Sequence, residues 1–239
     1  MSGLTLDGVV FDADGVLFDT ENLGHRVWTE IGGEMGFPGP AEHYLHFVGR
    51  SRADILAEMA RMFGPDFPGE AFMANCSRRA MEHMEEEGIP LKPGVHEVLS
   101  LLRERNVPVA LATSTYRDRT DYRMGRTGLG QYFRTMTTGD QVVHSKPDPE
   151  IYTLACRSLG VEPARAIAVE DSRNGILSAH GAGMRVIMVP DLIPPPPIWK
   201  RCCFRSSTPC WSCGTILKRC CKQKESVAKC ADCTSSLSF

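Results

Sequence analysis

The stretch GVVFDADGVLFDT, Gly8–Thr20, decides how this chain is read. Val9, Val10 and Phe11 form an apolar run of the kind that is buried on both faces of a sheet. The run stops at two carboxylates, Asp12 and Asp14, and Gly15 follows to let the chain leave the strand sharply. In an open α/β sheet, ligands bind outside the carboxyl ends of the strands, so both acids belong at the rim of a site. Carboxylates at i and i+2 of an extended chain point the same way, which suits one cation and two chemical roles. Taken alone, the same residues also describe an acidic turn, and the rest of the chain has to decide.

Working outward, three further apolar runs have strand character: Val107–Ala112, Ala166–Val169 and Val186–Val189. Helical patterns accompany them. Pro93 and Gly94 open one in which Val95, Val98, Leu99 and Leu102 make an i, i+3, i+4, i+7 stripe. Another starts at Asp148 as N-cap with Pro149 at the first helical position and ends at Gly160, and a third spans about Asn174 to Ala182. Strands and helices alternating at this spacing predict an α/β fold, a doubly wound parallel sheet.

Residues 22–88 interrupt the alternation. Their apolar positions, Ile55, Leu56, Met59 and Phe63, then Phe72, Cys76, Ala80 and Met84, have helical spacing, and Ser51 with Asp54 resembles a capping box. An inserted α-helical cap is expected over 19–89, between core segments 1–18 and 90–193. The methionines of the insert (Met59, Met62, Met73, Met81, Met84) read as adaptable core packing rather than a binding surface.

The 239 residues, with 42% hydrophobic content and a formal net charge of −2, leave room for an ample core and ask for neither nucleic acid nor membrane. Those averages hide a split at Pro194. Beyond it, eight basic residues face two acids, about +6, which leaves about −8 for residues 1–193. Eight of the ten cysteines also lie in 194–239, and the two earlier ones, Cys76 and Cys156, are too few and too far apart for a disulfide framework. With no basic-then-apolar leader at the start and no apolar run of about 18 residues, a cytoplasmic location is expected.

The polar residues at the strand ends carry the chemistry. Thr113, Ser114 and Thr115 follow the second strand, where hydroxyls and backbone N–H groups can cradle a phosphate or simply cap a helix. Lys146 stands just before the Pro147-Asp148-Pro149 helix start, and Glu170 and Asp171 end the next strand. Each signal is weak by itself, but an acid pair, a hydroxyl, a lysine and a second acid pair, in that order, would gather on one edge of a parallel sheet.

At this point the chain closely resembles the haloacid dehalogenase-like hydrolase superfamily, in the branch with a helical cap after the first motif. FDADGVLFDT, LATS, KPDPEIY and VEDSRNG each match a family motif in the family's order, and the resemblance covers residues 1 to about 193. It implies a nucleophilic role for Asp12 and an acid/base role for Asp14. It further implies that Thr113 and the Ser114 N–H hold a phosphoryl oxygen while Lys146 balances charge. Magnesium (Mg2+) would be bound by Asp12, the Asp14 carbonyl and Asp171, with Glu170 assisting. The implied reaction is hydrolysis of a small phosphorylated metabolite, a sugar phosphate or a nucleoside monophosphate-like ester, through an aspartyl phosphate.

The runner-up is a phosphosugar mutase of the β-phosphoglucomutase type. Those enzymes carry a histidine four residues after the Thr of the DT pair, where this chain has Gly24. His25 comes one residue late, turned by about 100° on a helix. Arg52 in GRSRADI matches the cap arginine of that group, where it would meet substrate, while KPDPEIY and VIMVPD are as similar to pseudouridine-type phosphatases.

The tail suggests a different class. Cys210, Cys213, Cys230 and Cys233 have zinc-ribbon spacing, and a basic zinc module could bind nucleic acid or a protein. Adjacent cysteine pairs and the missing ribbon pattern favour disorder, or an end read out of frame, behind a stiff Pro194–Pro197 spacer. Because relatives end in one more helix on the sheet, an inactive or unstable core carrying such a tail is the alternative of another class.

Overall fold

The computed structural model describes residues 6–37, 39–48, 52–189 and 192. The zinc-ribbon cysteines, the Pro194–Pro197 spacer and Ser51 of the capping box lie outside the described residues. The chain divides into two compact units, residues 1–18 with 91–239 and residues 19–90.

The first unit is built on a parallel five-stranded sheet of β1 (Gly8–Phe11), β2 (Val109–Ala112), β3 (Thr135–Thr137), β4 (Ala166–Glu170) and β5 (Arg185–Met188). Its spatial order is β3-β2-β1-β4-β5, which puts the strand of the DxDG stretch in the middle. In register, Val10 lies beside Ala110 and Ala168, and Phe11 beside Leu111 and Val169. Period-2 alternation sends Val10, Ala110, Ala112, Ala166 and Ala168 to one face. There they meet Ile151, Tyr152, Ala155, Cys156 and Leu159 of the helix over Glu150–Leu159. Alanines on the strands let that helix approach closely, and its large side chains fill the space.

Among the described residues outside the insert there are four α-helices, Val95–Glu104, Arg117–Thr127, Glu150–Leu159 and Arg173–Gly181. In chain order, with the four helices of the insert counted first, they are α5, α6, α7 and α8. The stripe of Val95, Val98, Leu99 and Leu102 is the buried face of α5. α7 starts later than its sequence suggests: Pro149 is its N-cap, while the Asp148 carboxylate accepts the Glu150 N–H at 2.9 Å. α8 starts sooner, because the Ser172 hydroxyl caps it by accepting the Gly175 N–H at 3.1 Å.

Two strand limits also differ from expectation. Val107 is not in β2; its N–H closes the end of α5 by donating to Leu102 O at 2.9 Å. β5 runs Arg185–Met188, one residue earlier than the apolar run, although Val189 N–H still bonds Glu170 O at 2.7 Å. β3 and α6 were not expected at all. β3 is three residues at a sheet edge, and α6 buries only Thr120 and Met124.

The second unit is helical, with α1 (Thr20–Glu34), α2 (Pro40–Phe47), α3 (Arg52–Phe63) and α4 (Gly69–Glu86). Its core centres on Trp28, whose ring lies 4.7 Å from Phe72, 4.9 Å from Phe47 and 5.6 Å from Tyr44 between centroids. The contacts with Phe72 and Tyr44 are edge-on and that with Phe47 is tilted, and such aromatic pairs add to what apolar burial supplies. Met59 and Met84 are buried, Met62 and Met73 flank the cluster, and Met81 is exposed. Both described cysteines are free, and burial pushes their thiols up, Cys76 to about 12 and Cys156 to about 11, so neither is a ready nucleophile. Among the described residues no helix is long and apolar enough to cross a membrane.

Candidate active site

The polar strand ends of the first unit converge where β1, β2 and β4 finish. Asp12 continues β1 by one residue, its N–H donating to Val169 O at 3.0 Å. The chain then tightens: Leu17 and Phe18 N–H groups both return to Ala13 O, and Gly15, at φ 71°, sits where a side chain would be strained. Phe18 bridges to Asp14 on one side and to Leu91 on the other, so the loop is stitched at its end.

Lys146 reaches this point from the segment before α7. Its ammonium donates to Asp12 Oδ1 at 2.8 Å, to Glu170 Oε1 at 2.7 Å and to the Ala112 carbonyl at 3.1 Å. The segment that delivers it is braced by Glu150, whose carboxylate accepts the Val143 and His144 N–H groups and the His144 ring. His144, Asp148 and Glu150 therefore form a cluster of ligand-type groups with a local structural task.

Glu170 is fully buried, and its carboxylate folds back over the start of α8. Oε1 accepts from Lys146 and from the Tyr152 hydroxyl at 2.7 Å, while Oε2 accepts from Asp171 N–H, Ser172 N–H and Ser172 Oγ at 3.1 to 3.2 Å. Such a return is possible only because residue 175 is glycine: a Cβ there would overlap the Glu170 carboxylate. Glu170, Asp12 and Asp171 bring ligand oxygens within 4.8 Å of one another, which can hold a metal ion. An all-oxygen set of carboxylates fits a hard divalent cation such as magnesium.

Electrostatics follow from burial. Desolvation raises Asp12 above the usual carboxylate range; Lys146 opposes that rise, and the neighbouring Glu170 and Asp14 add to it. Burial works against the Lys146 charge, but Asp12 and Glu170 outweigh it and hold the ammonium above the ordinary lysine value. For Glu170 burial again acts upward, and Lys146 with the surrounding donors carries the balance down, so it stays ionised. Burial, and then the charge of Glu170, push the Tyr152 hydroxyl well up, which keeps it a donor. Three acids and one lysine leave the cluster short of positive charge, and a dication would supply it.

The remaining residues fall into place around this centre. Thr113 is buried, and its hydroxyl accepts the Thr115 N–H at 3.1 Å. Ser114 is exposed, with its carbonyl so close to Gly139 that a Cβ at 139 would overlap it. The Asp14 carboxylate is not among the clustered side-chain oxygens. Its Oδ2 accepts from Thr115 Oγ1 at 2.9 Å and its Oδ1 from Arg123 Nη1 at 2.7 Å. Arg52 belongs to the helical unit, is exposed, and pairs with Glu70 at 2.6 Å.

Sequence reasoning gave no role to Arg123 or Tyr152, and placed Thr115 only among the strand-end hydroxyls, not as a partner of Asp14. Tyr152 was within reach, since it shares the buried stripe of α7 with Ile151, Ala155 and Cys156. Arg123 had only a faint signal, a position next to Met124 and three after Thr120, the two residues α6 buries.

Residues 9–189 match the haloacid dehalogenase-like hydrolase family. The chain is 33% identical over 188 residues to a phosphorylated carbohydrates phosphatase of Thermotoga maritima, covering 76% of this chain and 84% of that one. It is 29% identical over 183 residues to hexitol phosphatase B of Escherichia coli K12, covering 76% and 82%. A solved Thermotoga maritima structure provisionally named beta-phosphoglucomutase superposes with a TM-score of 0.74 at 28% identity, covering 89% of this chain and 99% of that one. With the motifs in order, the central strand carrying the acid pair and a match across most of its length, this chain belongs to the haloacid dehalogenase-like hydrolases and is an enzyme of that family.

Proposed function

We propose that the protein is a magnesium-dependent phosphatase that hydrolyses a small phosphorylated metabolite of the sugar-phosphate class through an aspartyl phosphate on Asp12. The observation that carries this reading is the buried Asp12 carboxylate, fixed by Lys146 through Oδ1 and crowded by Glu170 and Asp171. Lys146 fixes the carboxylate by one oxygen and leaves the other to attack phosphorus. Asp14 protonates the leaving oxygen and then takes the proton of the attacking water. Thr113 and Ser114 close the phosphate end of the site. Asp12 and Asp171 would hold the magnesium ion, which lowers the repulsion between an anionic nucleophile and an anionic ester. Glu170, with five donors on its two oxygens, serves mainly as the counter-charge of Lys146.

Transfer to water, rather than to a second sugar position, is supported inside the helical unit. Gly24 stands where a mutase-type histidine would project, and the Tyr44 hydroxyl fills that space, since a Cβ at 24 would overlap it. His25 is turned onto the Tyr44 ring, 5.3 Å away between centroids. The relatives named as phosphatases of phosphorylated carbohydrates and hexitols lend the substrate class.

The test is phosphate release from a panel of sugar and nucleoside phosphates, with and without magnesium, for the wild type and Asp12→Asn. Turnover of every substrate should need the metal and fall by a factor on the order of 10³ or more in the variant. Equal activity of the two proteins would overturn the mechanism. Interconversion of hexose 1- and 6-phosphates faster than phosphate release would replace it with the mutase.

A further inference from the structure

We propose that Arg123 is a positioning residue that reserves one oxygen of Asp14 for proton transfer, with the Thr115 hydroxyl as the partner that reverses direction as the proton comes and goes. This rests on the acid/base role given to Asp14 above. Arg123 Nη1 donates to Oδ1 at 2.7 Å and Thr115 Oγ1 donates to Oδ2 at 2.9 Å. The two partners differ in kind. A guanidinium has donors only, so the oxygen it holds cannot carry a proton toward it. A hydroxyl has one donor and two acceptor sites and can turn to suit either state of its neighbour. Oδ2 is therefore the oxygen on which a proton can sit, and Oδ1 is the anchored one.

The surroundings hold both partners in place. The Arg123 side chain is 16% exposed, and its guanidinium carbon lies over the Phe18 ring, 5.8 Å from the centroid. Phe18 is itself bridged to Asp14, so the residue that supports the arginine also ends the loop that carries the acid. Thr115 is pinned through its backbone, its N–H on Thr113 Oγ1 and its carbonyl accepting from Gly139 N–H at 3.1 Å. Only its hydroxyl rotor is left to respond.

In the first half-reaction an Asp12 oxygen forms a bond to phosphorus as the P–O ester bond breaks, and the leaving oxygen takes the proton from Asp14 Oδ2. The emptied Oδ2 then accepts the Thr115 hydroxyl, the arrangement seen in the structure. In the second, water oxygen bonds to phosphorus, its proton passes to Oδ2, and the bond between phosphorus and Asp12 breaks to release phosphate.

A structural ion pair and a positioning residue differ in leaving-group dependence. The test compares kcat/KM of the full chain, in magnesium, on an alkyl phosphate, whose alkoxide needs a proton, and on p-nitrophenyl phosphate, whose phenolate leaves without one. Arg123→Met should lower the alkyl-to-nitrophenyl ratio by about tenfold to a hundredfold, less than the roughly 10²–10⁴-fold of a general acid removed outright, because the acid itself stays in place. Arg123→Lys should recover part of the ratio, and Thr115→Val should lower it by a smaller factor. If Arg123→Met does not fold, the lysine and valine variants still read the ratio. A ratio within about twofold of wild type in every folded variant overturns the proposal and leaves Arg123 a structural tie. Wild type that turns over neither ester, or Asp12→Asn as active as wild type, overturns the hydrolytic reading beneath it, and the positioning role with it.

Discussion

Two clusters of ion pairs, one in each unit, use the same kinds of groups in opposite surroundings. In the helical unit Arg79 reaches Glu30 and Glu34, His83 lies 2.9 Å from Glu30, and Arg26 pairs with Glu87 at 2.5 Å, along α1 and α4, with Arg79 and His83 half-buried and Arg26, Glu34 and Glu87 exposed. At the strand ends Lys146 pairs with Asp12 and Glu170, with the lysine 7% and the glutamate 0% exposed. Exposed pairs exchange water contacts for protein contacts at little net gain, so they tolerate loss. Buried ones have no such exchange, and removing one partner strands the other's charge. Reactivity is possible in the second cluster because its charges cannot be satisfied by solvent, and each of them holds another in place.

That contrast is sharpest at Lys146. In metal-free buffer, Lys146→Met should lower unfolding stability by about 3–5 kcal/mol, read by urea denaturation, because Asp12 and Glu170 lose their common cation. It should also abolish turnover. A loss below about 1 kcal/mol would mean that water reaches this cluster as it reaches the surface one. Gly175→Ala comes next. Its methyl would displace Glu170 from the start of α8, at about 1–3 kcal/mol by the same assay, and a neutral result would show that the carboxylate has room to move.

The smallest effect belongs to the exposed cluster under acid. A hydrogen bond from His83 holds Glu30 below its ordinary value of 4.5, and one from Arg26 does the same for Glu87. Both groups bind protons more weakly in the folded chain, so their contribution is complete above that value and fades as pH falls through their lowered ones. Protection factors in α1 and α4, taken relative to the intrinsic exchange rate at each pH, should fall modestly between about pH 5 and pH 3. Unchanged protection across that window would show that these pairs add nothing to the helical unit.

The legible parts of the molecule were those where burial leaves a mark on sequence. β1, β2 and β4 are buried at every position, so Val9, Val10, Val109, Ile167 and Val169 stand out as apolar runs. α5 declares itself through Val95, Val98, Leu99 and Leu102. β3 and α6 leave no such mark. Thr135–Thr137 is a short edge, and α6 is polar nearly throughout, held to the fold by Thr120 and Met124. The site divides along the same line. Asp12, Lys146 and Glu170 break apolar or proline-marked segments and can be picked out in the sequence. Arg123 is one charge among many on a polar helix, and only the 2.7 Å contact with Asp14 distinguishes it. A side chain whose importance lies in a partner 109 positions away leaves no local trace.

The central place of β1 has a consequence for the order in which the molecule can be made. β1 is synthesised first of the five strands, yet its two neighbours are β2, beginning at residue 109, and β4, beginning at residue 166. At ribosomal rates of roughly 5–20 residues per second, the segment bearing Asp12 waits on the order of 5–20 s for its first partner strand. The helical insert emerges during that wait. Residues 19–90 form a compact unit of their own, so the insert can condense on the ribosome while the nucleophile's strand is still an unpaired thread. The catalytic centre is closed only when Glu170 has left the exit tunnel, which makes it one of the last parts of the described chain to exist.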